Sequence, residues 1–188
     1  MKKSSIVLIC IIAVVVIIVI ALISSYNGMV TKRENVDNSL SNLDVMLQRR
    51  ADLIPNLVST VKGYTNHEDE IIEKITDARQ NLLNANSIEE KASANNALSD
   101  SLNALMVVVE NYPDLKASAN FVQLSDELAG TENRIAVARR DYNEAVKSLN
   151  TTIQRFPNNM LAGMFGFKKA TYFEADEKSA EVPSVNFD

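Results

Sequence analysis

Side chains able to do covalent chemistry are few in this sequence, and they are poorly placed for it. One histidine, His67, and one cysteine, Cys10, occur in 188 residues. A di-iron helical bundle takes its histidines from Glu-x-x-His motifs, but the residue three before His67 is Tyr64. His67 therefore reads as a solvated residue at a helix start. Cys10 lies inside an apolar run, and the many serines have no histidine but His67 to activate them. Glu68-Asp69-Glu70 and Glu89-Glu90 read as solvated faces or first-turn charges favoured by the helix dipole. No glycine-rich phosphate loop is present. Catalysis, a metal and a cofactor are therefore not expected.

Recognition chemistry has better candidates. Arg50 interrupts an apolar helical seam. A guanidinium there must find a carboxylate or carbonyls, or reach the rim along its stem. It is either a structural pair that fixes helix register or a recognition point in a pocket opened by a kink at Pro55. Asp52 and Asn56 flank the same turn. Arg139, Arg140 and Asn143, with Asp141, form a second group of polar residues bordering a seam.

The elements that must position these residues begin with Ile6 to Ile23, eighteen residues without a charge or an amide. As a helix this run covers roughly 27 Å, close to the hydrocarbon thickness of a bilayer. A transmembrane anchor over 6–25, behind a basic tail at 1–5, is the expectation. The rival is a cleaved signal peptide, which Lys2 and Lys3 also suit. The run is longer than a usual apolar signal core, and no A-x-A site comes after it. With Lys2 and Lys3 set aside, 17 basic residues face 24 acidic ones, so nothing suggests a nucleic-acid partner.

From 26 to 155 the pattern is helical. Leu22, Tyr26, Met29, Arg33 and Val36 keep a three-four spacing, so the membrane helix is expected to run on into the domain, bending at Gly28; a short linker is the alternative. Val36, Leu40, Leu43, Leu47, Arg50, Ile54, Leu57, Val61 and Tyr64 continue a heptad-like seam. Pro55 should kink this helix near Asp52 and Leu53. Capping boxes at Thr65/Glu68 and Ser87/Glu90 start a second helix on Ile71, Ile75, Ala78 and Leu82, and a third on Ala94, Leu98, Leu102, Leu105, Val109 and Tyr112. Pro113 ends the third. The fourth runs from Phe121 to Ile153, about 50 Å, because the register survives Gly130. The expected fold is all-α: an antiparallel four-helix bundle of long helices behind one transmembrane helix. An elongated coiled-coil hairpin needing a partner chain is the alternative. Residues 156–188 form an aromatic tail that covers the exposed seam, or else docks on a membrane surface or partner through Lys168 and Lys169. The last residues, from Glu177, are expected to be disordered or extended.

Three blocks carry a resemblance. RRADLIPNLVSTVKGYTNHE at 49–68, FVQLSDELAGTENRIAVARRDYNEAV at 121–146, and FPNNMLAGMFGF with YFEA resemble the signatures of the LemA family of bacterial membrane proteins. The resemblance implies a bitopic membrane protein of the cell (inner) membrane with a long-helix domain. It implies no reaction, because the family lacks an assigned activity. The reading is a non-enzymatic scaffold or protein-interaction module that contacts the bilayer, with protein partners or self-assembly and no known small molecule. A membrane-tethered sensor with a cleft near Arg50 and Pro55 is the alternative. Lys2 and Lys3 before the anchor nearly balance Lys32 and Arg33 after it, so the side of the membrane stays open.

Overall fold

The structure, a computed structural model, describes residues 3–65 and 68–174, with side chains from residue 8 onward. His67 and the segment after Glu174 lie outside the described residues. Within them the chain is all-helical, with six helices: α1 (Lys3–Lys62), α2 (Asp69–Asn84), α3 (Ile88–Val109), α4 (Pro113–Lys116), α5 (Ala119–Gln154) and α6 (Asn158–Phe165). Four were expected. The additions are a single turn opened by Pro113 at its first position and an eight-residue helix within the aromatic segment. Helices this short have too few internal bonds to stand alone and depend on packing.

α1 is one unbroken helix of 60 residues, about 90 Å of rise, passing through both Gly28 and Pro55. No linker separates the apolar run from the seam that begins at Val36. α5 is likewise unbroken through Gly130, as its register required.

The described residues divide into two compact units, 3–40 with 143–171, and 41–142 with 172–174. In the second unit, Leu43, Ile54, Leu57 and Val61 of α1 are buried together with Ile75, Leu98, Leu105, Leu115 and Phe121. Each fully buried Leu or Ile contributes about 1.5–3 kcal/mol before entropy is charged against it. α2 and α3 form a hairpin across Ala85–Ser87, and Ser87 and Glu90 make the expected reciprocal cap. Lys91 meets Asp44 at 2.7 Å and Arg50 meets Asn95 at 2.7 Å, so α3 runs in the same sense as α1. α2 buries Ile72 in place of the expected Ile71. The Thr65/Glu68 cap does not form. Thr65 donates instead to the Val61 carbonyl at 3.2 Å, and Glu68 accepts from the Tyr112 hydroxyl at 2.7 Å, which raises the phenol's pKa. Both groups of the expected cap are thus held by other elements.

In the first unit, α1 and the end of α5 run in opposite senses: Lys32 donates to Ser148, and Ser25, nearer the start of α1, donates to Asn158 beyond it. Met29, Val36, Val146, Leu149 and Ile153 are buried there. Side chains of the apolar run from Leu8 to Ile23 are exposed. Asn150 is buried and clasps the chain after α6. Its amide donates to the Ala170 carbonyl and its oxygen accepts from the Ala170 N–H, each at 2.9 Å. The aromatic segment packs on α1, with Tyr26 meeting Phe165 and Phe167 edge-on at 4.8 and 5.9 Å.

Candidate recognition site

Arg50 falls on the seam of α1, where the three-four spacing turns its side chain inward, and it is 4% exposed. Two other helices meet it. Nη1 donates to Asn95 Oδ1 of α3 at 2.7 Å, and Nη2 lies 2.6 Å from Glu132 Oε2 of α5. Burial lowers the guanidinium's pKa from its ordinary value, and Glu132 offsets only part of this. Asn95 is itself 4% exposed, whereas the Glu132 side chain is 47% exposed. The pair therefore joins a buried cation to a half-solvated anion. Nε has no partner, and neither does the buried hydroxyl of Ser125.

Arg50 and Ser125 both line a cavity of about 400 Å³. Leu57, Leu102, Leu105, Met106 and Leu128 supply apolar walls, and Glu132 sits at the polar end with Arg50. Leu102 was expected on the seam of α3 and is only half-buried, because the space opens beside it. The volume is within the range of small-ligand sites. An unpaired buried donor costs roughly 1–3 kcal/mol.

Pro55 is exposed and is not among the residues lining this cavity. A proline removes the N–H that would bond the carbonyl four residues back. That carbonyl belongs to Ala51, and Arg79 of α2 donates its Nε to it at 2.8 Å. The defect in α1 is thus closed from a neighbouring helix.

The remaining candidates do not border the cavity. Asp52 is exposed and accepts from Gln48 at 2.8 Å, one turn back in its own helix. Asn56 is exposed, its carbonyl accepting from Thr60. Arg139 is half-buried, and exposed Arg140 lies 3.2 Å from its neighbour Asp141. Asn143 begins the other unit. Arg50 selects Glu132 on α5 and not this second group. Among the described residues, no three His, Cys, Asp or Glu side chains converge as a metal set.

The sequence model of the LemA family matches residues 39–187, which include every residue of this site. The chain belongs to the LemA family. Relatives agree. It is 30% identical to magnetosome protein MamQ 1 of Paramagnetospirillum magneticum, over 87% of this chain and 70% of that protein. Magnetosome protein MamQ of Magnetospirillum gryphiswaldense is 27% identical over the same shares. Protein LemA of Metamycoplasma hominis is 30% identical over 80% of this chain and 69% of its own.

In this LemA-family chain, sequence reasoning found Arg50 and Pro55 but missed Asn95, Glu132, Ser125 and Arg79. One of these had a signal. Pro55 implied a bare carbonyl at Ala51 and hence a donor somewhere. Nothing in local spacing could tell which cation, 28 positions away, would supply it.

Proposed function

We propose that this chain is a single-pass protein of the bacterial cell (inner) membrane and that it is not an enzyme. The start of α1 anchors it. The remaining long helices form an antiparallel bundle that recruits or spaces protein partners, or self-assembles. The observation that carries this reading is the continuity of α1: one helix holds both the apolar run with exposed side chains and the buried seam. Lipid is the solvent that accepts the first part. The reported relatives are named for the magnetosome or the family and not for a reaction, which supports a non-catalytic role. The test is fractionation of cells, followed by capture from detergent with the anchor intact. The chain is expected in the carbonate-resistant membrane fraction with stable protein partners or further copies. Full-length chain in the soluble fraction without detergent, still carrying its original amino terminus, overturns the reading.

The cavity beside Arg50 favours a second reading, a membrane-tethered ligand-binding or sensor module. Glu132 already neutralises Arg50, so the cavity is better matched to a neutral peptide group than to a free anion. N-acetyl-leucinamide is expected to raise the melting temperature of the full chain, and N-acetyl-leucine carboxylate to raise it less. Arg50→Lys keeps the charge but loses the planar two-point hold on Asn95 and Glu132, and is expected to abolish the difference. Equal effects of both compounds on the two proteins exclude this reading.

A further inference from the structure

α6 leaves a row of large apolar side chains uncovered. Met160 and Met164, one turn apart, are 62% and 77% exposed and Phe165 beside them is 55% exposed; Phe156, two residues before the helix, is 81% exposed. Leu161 and Ala162 on the inward side are buried. Water is a poor solvent for so dense a row, and such patches mark contact with a partner or a membrane.

The position of α6 identifies the occupant. Its first residue, Asn158, is held at 2.6 Å by Ser25, which lies two residues beyond the apolar run ending at Ile23. That is about 3 Å along the α1 axis. The other end of α6 is held at the same turn, because Phe165 and Phe167 both pack on Tyr26. Both ends of α6 are thus held close to one turn of α1. Gly166, in the left-handed region at φ 74°, makes the sharp exit, and Phe167 bonds back to the Ala162 carbonyl at 2.9 Å. Lys168 and Lys169 come next, both exposed.

We infer that α6 is a second membrane contact, a short helix lying in the headgroup region of the bilayer that the anchor spans, with Phe156, Met160 and Met164 directed into the acyl boundary. Interfacial helices bury their apolar face about 5–10 Å deep, and aromatic rings are favoured at this level. Tyr26, Phe165 and Phe167 form such an aromatic group, and Lys168 and Lys169 fall where headgroup phosphates lie. The inference rests on the anchor reading, and the test separates the two.

The native Cys10 reports the anchor. In a Cys10→Ser background, Met164→Cys reports α6 and Val137→Cys, at an exposed position on α5, serves as reference. Each full-length protein carries one environment-sensitive fluorophore in phosphatidylcholine–phosphatidylglycerol vesicles. Quenching is read with aqueous iodide and with quenchers attached at shallow or deep positions on the lipid. The expected result is deep-lipid quenching at 10, shallow-lipid quenching at 164 with several-fold protection from iodide, and free iodide access at 137. A label at 164 as open to iodide as the one at 137, with 10 still in lipid, overturns the α6 inference alone. Loss of lipid quenching at 10 overturns the anchor reading. Protection at 164 without lipid quenching means that a second copy or another protein covers the row, and this also overturns the inference.

Discussion

Two buried polar side chains, Arg50 and Asn150, solve the same problem in opposite ways. Asn150 is 7% exposed and spends donor and acceptor on a single backbone unit, that of Ala170. Its amide group is used in both senses, and the result is a clasp on the segment after α6. Arg50 is more deeply buried, carries a charge, and distributes two of its nitrogens between two helices while the third is buried without a partner. A group that is fully satisfied holds structure. One held at two points and unpaired at the third leaves a desolvation cost unmet. The difference is between a polar group fully satisfied in one unit and one incompletely satisfied in the other.

The largest effect is expected at Arg50. Arg50→Ala leaves Asn95 Oδ1 buried without its donor and enlarges the cavity, costing about 2–4 kcal/mol in urea denaturation tracked by helical circular dichroism. Glu132 is half-exposed and can turn to water, which keeps the loss below that of a fully buried pair. The double variant Arg50→Leu, Asn95→Leu removes the orphan as well and is expected to regain most of the loss. If it does not, Arg50 carries stability through a route other than Asn95.

Asn150→Ala comes next, at about 1–3 kcal/mol for two hydrogen bonds lost together. It is expected to act locally, speeding amide exchange from Phe167 to Thr171 with little change in the Arg50 unit. Equal acceleration in both would erase the distinction drawn between them.

Arg79→Ala is expected to cost about 1–2 kcal/mol, since it uncovers the Ala51 carbonyl, and less in a Pro55→Ala background where a helical N–H is restored. Additive effects of the two changes would mean that the guanidinium does not compensate for the proline.

The smallest effect is at the exposed cap of α3. Backbone N–H groups of Asn86 and Ser87 lower the pKa of Glu90. The stabilisation is complete above the ordinary glutamate pKa and is lost as pH falls through the lowered folded-state value. Glu90→Gln is expected to remove that part of the acid-side slope in the urea midpoint.

The long elements were legible because helical phase is additive along a chain. Leu43, Leu47, Ile54, Leu57 and Val61 share one face, and Thr131 keeps the α5 register across Gly130. The short elements were not, because α4 and α6 owe their existence to contacts distant in sequence. The site was half legible. A charge on a seam announces itself, but its partners lie 45 and 82 positions away, and no local pattern encodes them. The Thr65 cap failed for a related reason: a distant tyrosine competes for Glu68.

The missing hydrogen at Pro55 works as an index mark. Along a regular helix every carbonyl is occupied and one turn resembles the next, so a neighbouring rod could slide by a turn and lose little. Ala51 offers an oxygen that lacks its helical N–H, and a guanidinium displaced by one turn would meet one already bonded. A residue usually counted as a flaw thereby tells α2 where to stop.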